Sequence, residues 1–110
     1  MNRPAILGAV LGAFAILPLV FAQADKADAA AGKKVFEGRC IECHNADSKD
    51  EKVGPGLKGI KDGVLPSGKK ATHDNIHEVV EEGVGDEMPA FGDVLSAKEK
   101  EDVVAYVLTL

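Results

Sequence analysis

Tryptophan is absent from this chain of 110 residues, and aromatic residues of all kinds make up 5% of it. Past the first two dozen residues the aromatics reduce to Phe36, Phe91 and Tyr106. A domain this small lies near the lower limit for an unaided hydrophobic core. The shortage of large apolar side chains therefore calls for some other apolar body inside the fold. Cysteine is equally scarce: Cys40 and Cys43 are the only two, and one bridge closing so short a loop would hold little together. No segment alternates convincingly as a strand, and no βαβ pattern is visible. Basic residues show no excess: 13 Lys and Arg stand against 18 Asp and Glu, a net charge of −5. That balance argues against nucleic acid as a partner. There is no internal repeat and no sign of a second folded domain.

What is present begins with Cys40-Ile41-Glu42-Cys43-His44. Two cysteines spaced by two residues, with histidine next, form the attachment pattern of a c-type haem. Each thiol adds across a haem vinyl group to give a thioether, and the adjacent imidazole reaches the iron from one face. A buried macrocycle would also supply the missing apolar bulk. Three other uses of the pair compete. A zinc site wants four protein ligands and would have to recruit His73 and His77 as Cys2His2. A thioredoxin-like motif wants a preceding strand. An exported chain could also oxidise the pair to a disulfide.

The N-terminus carries its own signal. Met1-Asn2-Arg3 bears one positive charge, an uncharged apolar run extends over residues 4–22, and Ala22-Gln23-Ala24 is a small-residue cleavage pattern. Residues 1–24 read as a secretory signal peptide, cleaved after Ala24. The competing reading is an uncleaved membrane anchor, against which Pro4, Pro18 and the short run weigh. Export agrees with the cysteine motif, because haem attachment needs thiols delivered across a membrane, and it points to the periplasm. Residues 25–110 then form one domain. Its charge is uneven: residues 25–71 hold ten basic and eight acidic side chains, residues 72–110 two basic and ten acidic. A partner with a basic docking patch suits that distribution, although solvated helix faces account for most of the acidic residues.

Periodicity and capping predict three helices. Residues 28–39 place Ala29, Gly32, Phe36 and Cys40 on one face, with Asp28 as N-cap. Gly32 inside a helix costs stability relative to alanine, which predicts a close approach of another element. Residues 74–82 follow Thr72 or Asp74 as cap and stop at Gly83. Residues 96–110 open with the capping box Ser96-Ala97-Lys98-Glu99 and repeat Val103, Tyr106, Val107 and Leu110. Between the first two, residues 45–68 are dense in glycine and proline, a long loop that needs an object to wrap. Leu57 and Ile60 interrupt it at helical spacing.

A six-coordinate haem needs a second ligand. Met88 is the only methionine outside the leader, and Gly85-Asp86-Glu87 before it and Pro89 after it place it in a loop. A thioether is soft and neutral, and His/Met ligation raises the reduction potential. Core filling is the ordinary use of a lone methionine. His73 and His77 are the alternative ligands, and they read better as solvent-exposed surface residues.

Taken in order, these segments resemble a class I c-type cytochrome of the short, single-haem bacterial kind. The resemblance rests on Gly32, Phe36 and the Cys40–His44 motif, then Val53-Gly54-Pro55-Gly56-Leu57, then Met88-Pro89-Ala90-Phe91, and last Leu95-Ser96 with Asp102-Val103-Val104-Ala105-Tyr106-Val107. It implies an all-α fold, three main helices wrapped around one haem c bound covalently through Cys40 and Cys43. The first and last helices would cross near Gly32, with Phe36 and Tyr106 at the crossing. The Pro55 carbonyl would accept a hydrogen bond from His44 Nδ1, and Leu57, Ile60, Val79, Phe91 and Leu95 would wall the haem. His44 and Met88 would be the iron ligands. The absence of tryptophan departs from longer relatives, in which that residue holds a propionate.

The resemblance implies a monomeric periplasmic one-electron carrier and not an enzyme. Its partners would be redox proteins, a membrane donor complex on one side and a terminal acceptor on the other. The membrane enters only if the N-terminus stays uncleaved, which would make the chain an anchored subunit of a respiratory or photosynthetic complex. A haem peroxidase or gas-binding protein with a labile sixth ligand is a further alternative.

Overall fold

The computed structural model describes residues 26–110, together with Gly8, Gly12, Ala13 and Ala15. The expected leader over residues 1–24 therefore lies outside the continuously described segment. Among the described residues three α-helices make up the regular structure: α1, Ala29–Arg39; α2, His73–Glu82; and α3, Ala97–Val107. A single 3-10 turn, Ile60–Asp62, interrupts the long loop between α1 and α2. Among the described residues the only β pairing is two isolated bridges, Val64 with Lys70 and Val84 with Met88.

The helix ends follow from their caps. Asp28 accepts hydrogen bonds from the Ala30 and Ala31 amides and starts α1. Thr72, rather than Asp74, caps α2 through the Asn75 amide, so that helix begins one residue earlier than its periodicity predicts. Gly83 stops it with φ 72°, a conformation glycine adopts without strain. Both halves of the Ser96/Glu99 capping box form at α3. That helix ends at Val107 and not at Leu110. Its last residues tighten into single turns, with the Thr109 amide on Tyr106 O and the Leu110 amide on Val107 O. The Leu110 carbonyl is tied to the Gly59 amide at 2.7 Å, which draws it out of the helix line.

The helices at the two ends of the fold pack on each other. A Cβ placed at Gly32 would overlap the Asp102 backbone carbonyl and lie 2.9 Å from Tyr106 Cβ, so glycine alone permits this crossing. Phe36 and Tyr106 meet there edge to face, centroids 5.4 Å apart, a preferred arrangement of aromatic quadrupoles. The Asp28 amide, at the head of α1, donates to Asp102 Oδ1 at 2.8 Å, and Lys98 Nζ bonds the other carboxylate oxygen at 2.8 Å. Asp102 is only 3% exposed. Burial pushes its carboxyl up, and the bonds from Lys98 and the Asp28 amide outweigh that, holding it below the usual aspartate value.

Phe36, Leu65, Ala71, Ile76, Leu95, Val103, Val104 and Val107 form the buried core. Val104 is wholly buried, beyond the stripe that periodicity assigns to α3, because this helix is covered by α1 on one side and α2 on another. Leu65 and Ala71 bring the long loop into the core.

Candidate functional site

The Cys40–His44 motif continues directly from α1. The Cys40 amide bonds Phe36 O, closing the helix, and the Cys43 and His44 amides both return to Cys40 O at 3.1 and 3.0 Å. The result is one tight turn that presents Cys40, Cys43 and His44 together. A second segment clamps it: the Gly54 amide donates to Cys43 O at 2.7 Å and the Leu57 amide to Asn45 O at 2.8 Å.

His44 is oriented by this clamp. Its Nδ1 lies 2.8 Å from the Pro55 carbonyl. A carbonyl only accepts, so Nδ1 must carry the proton, which leaves Nε2 as the lone-pair nitrogen available to a metal. A Cβ at Gly54 would stand 2.6 Å from His44 Cε1 and 2.9 Å from Nδ1. The absence of a side chain at Gly54 is therefore what makes room for the ring.

The two cysteines are unpaired and half-buried. Burial, and then the neighbouring Cys43, pushes the Cys40 thiol up to about 11. Cys40 is thus a neutral thiol at ordinary pH, against an activated redox nucleophile. The Cys2His2 alternative finds no assembly: no group of three or more His, Cys, Asp or Glu among the described residues is placed to hold a metal ion. His73 and His77 turn instead to α3. His73 Nε2 sits 2.6 Å from Glu101 Oε2, His77 Nε2 lies 3.5 Å from Glu101 Oε1, and the two rings stack at 5.9 Å. They are more engaged than free surface histidines, because i and i+4 share the helix face that meets α3. Hydrogen bonds donated by the His73 ring to Asp74 and then Glu101 raise its value above the usual one, against a smaller opposing effect of burial.

The apolar residues expected to wall the haem are, except for Leu95, half-covered. Leu57, Ile60, Val79 and Phe91 pack against the core together with Cys40 while keeping part of their surface open, whereas Leu95 is buried within it. Ile41 and Val53 stand out beside the motif, 41% and 72% exposed. Met88 comes from the opposite half of the chain. It is half-buried in the loop after α2, where its amide and carbonyl pair with Val84 at 3.1 and 3.0 Å. Two shallow surface clefts, one bounded by Lys61, Val64 and Thr72 and the other by Leu65, Val79 and Val84, do not include Cys40, Cys43, His44 or Met88. Donor chemistry, not cavity shape, defines this site: two thiols, an imidazole with a fixed tautomer and a glycine cradle around it suit a covalently held haem.

Sequence reasoning missed three features of the fold around the site's supporting elements. Leu65 and Ala71 are buried out of a loop rich in glycine and proline, where no periodicity marks them. Asp102 is a buried carboxylate flanked by valine, and its only local sign is Lys98 four residues before it. Lys100 reaches across from α3 to Glu81 and to the Gly92 carbonyl, a contact with no local signature.

Comparison with known proteins converges on one family. The model of "Cytochrome C oxidase, cbb3-type, subunit III" matches residues 27–107. A cytochrome c6 of Rippkaea orientalis is 40% identical over 81 residues, which cover 74% of this chain and 69% of that protein. A cytochrome c type-1 of Ascaris suum is 52% identical over a shorter stretch of 42 residues, 36% of this chain, and the match spans only 38% of that relative's length. Among solved structures, cytochrome c6 from the diatom Phaeodactylum tricornutum superposes with a TM-score of 0.59 at 35% identity, covering 74% of this chain and 92% of the other.

Proposed function

The chain belongs to the class I c-type cytochromes, and from that membership we propose a one-electron carrier whose haem iron is held by His44 on one face and Met88 on the other. The prosthetic group is a haem c bound covalently through Cys40 and Cys43, and the protein is an electron-transfer protein, not an enzyme. When bound, the haem supplies a one-electron couple between ferrous and ferric iron.

The residues divide the remaining work. The Pro55 carbonyl, accepting from Nδ1 at 2.8 Å, fixes the His44 tautomer and makes the ring a stronger donor at Nε2. Gly54 keeps the ring's space clear. Met88 offers a neutral thioether, which favours the reduced metal and raises the potential. Leu57, Ile60, Phe91 and Leu95 provide apolar contact that excludes water. His44 and Met88 would hold the metal from two separate segments of the fold, which would limit the protein's rearrangement when the group changes oxidation state. The single observation that carries this reading is the oriented imidazole, a ring held by a carbonyl on one nitrogen and presented by the same turn as the two thiols.

Redox proteins are the partners. Their docking region would include the exposed Ile41 and Val53 beside the motif. Asp86 and Glu87, exposed next to Met88, give another part of the rim a negative charge, which favours a partner with a basic patch. Residues 1–24 act as a cleaved export signal, and residues 25–110 work in the periplasm as a monomer. The family model's own description, an oxidase subunit, favours one second reading, a chain retained by its N-terminus in a larger complex. Intact mass of the protein from its host separates the two.

The ligation test is spectroscopic. Native protein should show the ferric methionine-to-iron charge-transfer band and, when reduced, the strongly shifted methyl resonance of a bound methionine. Met88→Ala should lose both and bind carbon monoxide rapidly. A Met88→Ala spectrum identical to the native one in both redox states would overturn the assignment.

A further inference from the structure

We propose that Lys100 is a positioning residue for the loop that carries Met88, pinning its exit to α2 and so controlling how readily the methionine leaves the iron; the inference rests on the Met88 ligation proposed above. The loop departs from α2 at Gly83 and returns over it. The Phe91 amide bonds Val80 O at 2.9 Å and the Gly92 amide bonds Glu81 O at 3.1 Å. At the entry, a Cβ on Gly83 would strike the Met88 carbonyl and stand 2.8 Å from the Ala90 amide, so the chain folds tightly on itself there.

At the exit, the closure is made by a side chain from another helix. Lys100 Nζ, on α3, donates to Glu81 Oε2 at 2.6 Å and to the Gly92 carbonyl at 3.1 Å. The Lys100 side chain is only 12% exposed and its Glu81 partner 42%, so water and salt screen this pair less than one with both ends in solvent. Gly92 has its own part, since a Cβ there would meet Glu81 Oε1 at 2.8 Å. The missing side chain lets the carboxylate lie against the loop backbone. Glu81 and Glu82 occupy the last turn of α2, and that turn has no basic residue of its own. Two carboxylates at the negative end of a helix are unfavourable. Lys100 brings in from α3 the positive charge that α2 lacks. Three elements thus meet at one ammonium group: α2, α3 and, at Gly92, the methionine loop.

Without that ammonium the Glu81 carboxylate would face the helix end and the loop carbonyl uncompensated, and the loop exit would open more often. The test uses the haem-loaded protein. Entry of imidazole into the ferric protein, which must displace Met88, is timed by stopped flow, and amide exchange at Phe91 and Gly92 is followed by NMR. Lys100→Met should speed imidazole entry about tenfold, the scale of one lost charged hydrogen bond, and should raise exchange at both amides. Lys100→Arg should restore most of the native rate. Lys98→Met breaks a different ion pair of α3, the one with Asp102, and should lower thermal stability while leaving imidazole entry unchanged. Should Lys100→Met not load haem, Glu81→Gln removes the ion pair from the other side while leaving the Lys100 bond to the Gly92 carbonyl, and should show a smaller acceleration. Native entry rates in Lys100→Met or Glu81→Gln would overturn the proposal, as would equal acceleration by Lys98→Met. Met88→Ala, run in parallel, separates the layers: if it leaves entry and spectrum unchanged, the ligand assignment itself fails, and if it alone accelerates entry, only the role of Lys100 does.

Discussion

Gly32→Ala sets two magnitudes against each other. Alanine is the better helix former by about 1 kcal/mol, so local propensity alone says that the substitution stabilises α1. The packing says otherwise. The added methyl group would overlap the Asp102 backbone carbonyl, which is part of α3 and cannot swing away as a flexible side chain would. The two helices must separate, and overpacking of that kind costs about 1–3 kcal/mol. Separation also stretches the 2.8 Å bond from the Asp28 amide to Asp102, worth about 1.5–3 kcal/mol because the acceptor is charged. The Phe36–Tyr106 edge contact weakens with it. After the propensity gain is subtracted, the net loss is about 2 kcal/mol, a fall of about 8–16 °C in midpoint for a domain of this size. Thermal unfolding of the haem-loaded protein, followed by far-ultraviolet circular dichroism and by the visible spectrum, measures it. A Gly32→Ala protein as stable as the native one, or more so, would refute the reasoning, because the crossing would then not depend on glycine.

Other outcomes follow from the site and its supports. Because the folded Asp102 value lies below the ordinary one, its stabilisation is present above the unfolded value near 4 and is lost as pH falls through the folded value. Asp102→Asn should therefore cost about 2 kcal/mol at neutral pH and flatten the acid limb of a urea-midpoint profile; an unchanged acid limb would exclude this carboxylate as its source. His73 runs in the opposite sense, since its raised value means that its bond to Glu101 is complete below about 6.5 and fades as pH rises through the folded value; the pH titration of its ring resonances, with and without Glu101→Gln, checks this. Gly54→Ala should turn the His44 ring off the Pro55 carbonyl, make it a weaker donor and raise the reduction potential, with loss of the hydrogen-bonded Nδ1 proton signal. Charge reversal at Asp86 and Glu87 should slow association with a basic redox partner about tenfold and flatten its salt dependence.

How much of this could be read from the chain depends on how local the cause is. Three helices were legible because their causes lie within a few residues: Asp28 and Ser96 as caps, Gly83 as a stop, and apolar spacing along each face. The attachment motif was legible because its chemistry sets its own spacing. Gly32 advertised a close contact, and the resemblance supplied the partner helix. The one-residue shift at α2 reflects a choice between two adjacent caps, Thr72 and Asp74, that sequence alone leaves open. Burial of Leu65 and Ala71, the 3% exposure of Asp102 and the reach of Lys100 to Glu81 depend on residues brought together from distant parts of the chain. No local pattern encodes such meetings. The acidic α2 terminus was visible as an unfavourable feature, and only the fold shows which charge offsets it.

The docking of α1 on α3 has a consequence for the order of events in the cell. A polypeptide synthesised N-terminus first completes Phe36 and the Cys40–Cys43 pair well before Val103 and Val107 exist to cover them. Until the final helix emerges, no premature core can form around the attachment turn. Its thiols stay open to modification, and compaction is deferred to the moment when the last helix is complete.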